Sequence, residues 1–65
     1  MERFSNYRLS ETASDDIRLC IVADDSQFGA PVIVVEIPLD VPSDRDDYGM
    51  ALADRIVAAL NAMGA

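Results

Sequence analysis

Sixty-five residues carry a formal net charge of -7, from twelve acidic side chains and five arginines, with no lysine and no histidine. Such a chain is repelled by nucleic acid and by anionic lipid, so direct DNA binding is excluded and its partners should be basic or absent. The lack of histidine and the single cysteine exclude, within one chain, a zinc site, a Ser-His-Asp arrangement and a Cys-His pair.

The size implies one domain, residues 1–65, which on folding buries only roughly 60% of the surface its unfolded chain exposes. An enclosed active site has little room, and an enzyme is not expected. The apolar share of 51% still suffices for a core, which argues against wholesale disorder. Cys20, in RLCIVA, reads as a small buried apolar side chain of a reduced, cytoplasmic protein. No basic-then-apolar leader opens the chain, and the runs Ile21 to Ala23 and Ala30 to Val35 fall far short of a membrane span. The expectation is a soluble protein in the cytoplasm of a host cell.

Met1 to Arg3 reads as a frayed end. From Phe4 to Glu11 (FSNYRLSE), Tyr7 and Leu9 alternate with Asn6, Arg8 and Ser10, the period of a half-buried edge strand. Glu11 to Asp16 (ETASDD) is a run of turn formers, so a hairpin follows. Ile17 to Asp24 (IRLCIVAD) reads as the central strand, with Ile17, Leu19, Ile21 and Ala23 on one face. Asp24 to Ala30 (DDSQFGA) turns again, with Phe28 expected to fold back over the end of the core. Pro31 cannot donate a ladder hydrogen bond and belongs at the start of the next strand. Val32 to Ile37 (VIVVEI) then puts Ile33, Val35 and Ile37 on one face and Val32, Val34 and Glu36 on the other.

Pro38 and Pro42 bracket a stiff connection that leads into Ser43 to Met63 (SDRDDYGMALADRIVAALNAM). At 100° per residue, Tyr48, Leu52, Ile56, Ala59, Leu60 and Met63 share one stripe, and Asp47, Asp54 and Asn61 lie opposite. Ser43 is the expected cap, Asp46 completes a box-like S-x-x-D, and Asp44, Asp46 and Asp47 suit the positive end of the helix dipole. Gly64 supplies the stop. The fold class that follows is α+β: a three-stranded antiparallel β-meander with one C-terminal α-helix packed on one face, a two-layer ββ-β-α domain. Cys20, Val22, Val32 and Val34 would then form an apolar patch on the uncovered face.

Other chemistry finds little support. Asp44 to Gly49 (DRDDYG) opens like a calcium loop, but Arg55 stands where the closing glutamate belongs, and a helix start explains the segment better. Asp15 with Asp16, or Asp24 with Asp25, have nothing to desolvate them as an acid and base pair. Gly29, Gly49 and Gly64 are too scattered to cradle a phosphate. No metal and no cofactor is expected.

The meander gives the acids a geometry. The first turn and the strand-to-helix connection lie at the same end of the sheet, so Glu11, Asp15, Asp16, Asp40, Asp44, Asp46 and Asp47 should converge there, diluted only by Arg18 and Arg45. Asp54 continues the line along the helix. Surface solubility and turn chemistry account for such residues without any function. A functional account is that closely spaced carboxylates imitate a row of phosphates and engage a groove built for nucleic acid. With YRLSE, IRLCIVAD, PVIVVEI and SDRDDYGMALADRIVAALNAM laid out as sheet plus helix, the chain resembles the small acidic DNA-mimic inhibitors of phages, and most of all a compact anti-CRISPR protein directed at a type I surveillance complex. The resemblance is one of size, acidity and plan, without a shared motif. It implies an inhibitor that occupies the DNA-binding groove of a basic effector subunit, such as a Cas protein. The expected state of the chain is a monomer or weak homodimer. The alternative is a small acidic regulatory or accessory subunit, antitoxin-like or homodimeric, that uses the apolar outer sheet face.

Overall fold

Alternating β-branched residues separated by polar turns fold as three strands in the computed structural model, which describes residues 3–64. They are β1 (Phe4–Ser10), β2 (Arg18–Asp25) and β3 (Ala30–Pro38), antiparallel in the order β1-β2-β3. A π-helical turn, Arg45–Gly49, leads into the helix α1 (Met50–Gly64), which lies over one face of the sheet, chiefly against β1 and β2. The architecture is the expected α+β meander with one C-terminal helix. No helix among the described residues is long and apolar enough to cross a membrane.

Leu19, Ile21, Ile37, Leu39 and Ala53 form the buried core, and Leu9, Val35, Met50, Ile56, Val57 and Leu60 pack around it. Both hairpins contain a bulge that strict alternation hides. In β1, Ser5 pairs with Asp24 and Arg8 with Val22, so Asn6 and Tyr7 together oppose Ala23. Asn6 sits at φ 56°, a left-handed conformation that asparagine tolerates better than most residues. In β3, Ile21 pairs with Val35 but Val22 with Ile33, which leaves Val34 as the extra residue.

The second bulge corrects the expected face of β3. Beyond Val34 the alternation inverts, so Ile33 lies with Val22 on the outer face and Val32 with Ala23 on the helix face, while Val34 packs towards the core. The expected outer patch of Cys20, Val22, Val32 and Val34 therefore does not exist as one surface. Cys20 and Val22 do lie on the outer face, yet they are 1% and 7% exposed. Longer side chains surround them: Glu36 stands across from Cys20, Arg8 and Ile33 flank Val22, and Arg18 reaches across to Glu36. Extended side chains thus roof the two small ones, and burial pushes the Cys20 thiol up.

The helix is rotated from the expected stripe. Gly49, Ala53, Ile56 and Leu60 face inward, whereas Tyr48, Leu52 and Met63 are exposed. Close approach explains the choice: a Cβ on Gly49 would stand 3.0 Å from Leu19 Cδ1 and 3.1 Å from Leu39 Cδ2, so only the smallest residues fit where the helix starts across the sheet. Asn61, expected on the solvent side, clasps the outer edge of β1. Its Oδ1 accepts the Tyr7 amide at 3.1 Å and its Nδ2 donates to the Tyr7 carbonyl at 3.0 Å.

The helix start differs too. The residue preceding the π-helical turn is Asp44, with no side-chain cap, and Ser43 contributes only its carbonyl, which accepts the Asp46 and Asp47 amides. Gly64 is the last residue of α1 rather than the one after it. At the other end of the chain, Met1 and Glu2 lie outside the described residues, but Arg3 is tied to Asp25 rather than frayed. Phe28 does not cover the core; it stands 74% exposed on the β2–β3 turn, where Gly29 takes φ 76°.

Candidate functional site

The end of the sheet that carries the β1–β2 loop also receives the chain between β3 and the helix. The Leu39 amide donates to the Ile17 carbonyl at 2.8 Å, so the connection is stitched to the start of β2. Antiparallel order then dictates that residues 11–17 and 39–49 share one end. Two side chains of the π-helical turn organise the acids there.

Arg45 is the first. Its guanidinium donates to Glu11, which raises its pKa, and the Asp46 and Asp16 carboxylates add to the same field. Tyr48 is the second, and the helical stripe that assigns it to the core conceals its place among the acids. Its hydroxyl donates to the Pro38 carbonyl at 3.3 Å, and the phenol is pushed up by burial and then by the carboxylates of Asp44, Asp40 and Asp47.

The eight acids nominated from the sequence differ in how free they are. Glu11 is paired with Arg45. Asp15 is consumed by its own loop: Oδ1 accepts the Ile17 and Arg18 amides at 2.9 and 3.1 Å, and Oδ2 lies 3.5 Å from Arg18 Nε. The Ile17 amide, ahead of Arg18, holds this carboxyl below the usual range. Asp44 is turned back onto the connection, where Oδ2 accepts the Asp40 and Val41 amides at 3.2 and 3.3 Å. Asp16, Asp40, Asp46 and Asp47 are exposed at the same end and make no ion pair among the described residues. Asp54 is exposed further along α1, with no contact that joins it to the group.

The opposite end of the sheet is balanced. Asp24 pairs with Arg8 at 3.1 Å and accepts from Asn6, and Asp25 takes a two-pronged contact from Arg3, 3.1 Å to each oxygen. Among the described residues two acids there meet two arginines, whereas seven acids face Arg18 and Arg45 at the loop end. Glu36 draws on Arg18 as well, at 3.6 Å, which leaves the loop end still more negative. Strands of seven to nine residues hold the two ends about 25 Å apart, well beyond the ~8 Å screening length of physiological salt, so each end presents its own field.

Among the described residues no group of three or more histidine, cysteine, aspartate or glutamate side chains is placed to hold a metal ion. What the loop end offers chemically is a set of fixed and free carboxylates, with amides already spent. Comparisons with protein-family models, with curated proteins and with solved structures return no match.

Proposed function

We propose that this chain is a small acidic inhibitor that sets carboxylates where a nucleic-acid-binding protein expects phosphates, and so blocks a basic DNA-binding groove. The resemblance to anti-CRISPR proteins narrows the proposed target to a type I CRISPR-Cas surveillance complex. One observation carries the reading: among the described residues the acids are gathered and largely unpaired at the loop end, while Asp24 and Asp25 at the other end are each matched by an arginine. Solubility alone requires no such asymmetry, since dispersed charge serves it equally well. Asp16, Asp40, Asp46 and Asp47 are the groups with carboxylates available to lysines and arginines of a target. Glu11, Asp15 and Asp44 shape the loops that carry them.

The test is a competition between this protein and duplex DNA bearing the matching target sequence for a purified type I surveillance complex. DNA binding should fall as the protein is added. Reversing Asp16, Asp46 and Asp47 to lysine should restore it without unfolding the chain, as judged by circular dichroism. Undiminished DNA binding at about tenfold molar excess over the complex, under low salt where such pairs are strongest, would remove this target.

A further inference from the structure

The two edges of the sheet are treated differently. The free edge of β1 is bulged at Asn6 and closed at Tyr7 by the paired hydrogen bonds of Asn61. No strand or helix among the described residues seals the outer edge of β3. Its side chains Val32, Val34 and Val35 are half-buried and Ile33 is 50% exposed. On the helix face an open apolar groove of about 400 Å³, lined by Phe4, Tyr7, Ile33, Val34, Val35 and Leu60, crosses from β1 to β3 and leaves this strand without a helix over it. An uncovered apolar strand edge is a template for another strand.

We infer that β3 pairs antiparallel with β3 of a second copy, about a two-fold axis, and joins two meanders into one six-stranded sheet. Charge selects this occupant. From Ala30 to Pro38 the only charged residue is Glu36, already partnered by Arg18, so the edge is a neutral strip on a strongly acidic molecule and offers nothing to a basic partner. Antiparallel pairing also sets the acidic loop end of each copy beside the balanced end of the other, and keeps the two acidic ends at opposite extremes. With the axis anywhere between Val32 and Val35, each Glu36 faces a residue other than the second Glu36. Pro31 and Pro38 limit the pairing to the stretch between them. Because each chain has one open edge, assembly closes at two copies. This inference does not depend on the inhibitor reading.

Sedimentation velocity from about 5 to 500 μM, at low salt and at roughly 0.5 M salt, should resolve a monomer–dimer equilibrium that high salt favours, because screening relieves repulsion between two copies of net charge -7. Capture of a basic target by the acidic end should have the opposite salt dependence, so the two proposals fail separately. Ile33→Lys, a change at a half-exposed side chain, should weaken dimerisation at least tenfold while circular dichroism stays unchanged. Hydrogen exchange supplies a second readout independent of any variant: amides within Val32–Ile37 should slow as concentration rises. A wild-type chain that stays monomeric across the range overturns the inference. So does a dimer whose β3 amides exchange at the monomer rate, or an edge protected only when another protein is present.

Discussion

Asp25 is the one buried charged residue among the described residues, and its environment explains why an acid sits there. Arg3 grips both oxygens, and the carboxylate accepts the Gln27 and Phe28 amides at 2.9 and 3.3 Å, which turns the chain into the second hairpin. The Arg3 contact, then those amides, holds the carboxyl below its ordinary range. The unfolded chain therefore takes up this proton more readily than the folded one. The associated stability is complete above about pH 4, the usual carboxylate value, and is lost as pH falls through the lowered folded value. Asp25→Asn should lower the melting temperature at pH 7 by about 5 °C or more and flatten its dependence on pH in the acid range, as followed by thermal denaturation. Tyr48 gives a second residue-level test, because its phenol is pushed up partly by Asp44, Asp40 and Asp47. Ultraviolet titration of Asp40→Asn with Asp47→Asn should bring Tyr48 down towards the ordinary tyrosine range. An unmoved titration would mean that these carboxylates do not converge on the hydroxyl.

At the scale of the elements, the contact between helix and sheet turns on Gly49. A methyl group there meets Leu19 and Leu39 at 3.0 and 3.1 Å and the Asp44 carbonyl at 3.2 Å, and the last of these is backbone that cannot swing aside. Gly49→Ala gains helix propensity of up to about 1 kcal/mol but overpacks the core by about 1–3 kcal/mol, so a net loss of about 1 kcal/mol is expected in urea denaturation. The same crowding explains which parts of the fold were legible. Three strands and a helix follow from hydrophobic period, and the turn residues between them specify a meander. The helix stripe expected from hydrophobicity is one residue off at Tyr48 and Leu52, because hydrophobicity favours large residues where geometry demands Gly49 and Ala53. The bulges at Asn6 and Val34 also escaped, since an inserted valine in a run of valines leaves the local pattern unchanged while it inverts the faces beyond it.

Across the whole molecule the charge is polar in the geometric sense, with one end matched and the other not. That the acids meet at one end was legible, since strand order alone brings residues 11–17 beside 39–49. Which of them remain free was not, because Asp15 and Asp44 are spent on amides two to four residues away, and only coordinates reveal such partners. The distinction yields an ordering. Against a basic target, lysine at Asp16, Asp46 or Asp47 should each weaken binding several-fold and more so at low salt, measured by calorimetry. Asp24→Lys, at the matched end, should leave affinity within about twofold, apart from any loss of stability through Arg8.

The clasp of Asn61 on Tyr7 lies within the last turn of α1, three residues before its end. Trimming that turn, or straining it with a bulky purification tag, would bare a second adhesive border on the same sheet. A unit that can finish its own assembly would then be able to add neighbours on both flanks, so preparations altered at this terminus should tend towards filaments or precipitate where the intact chain stays dispersed.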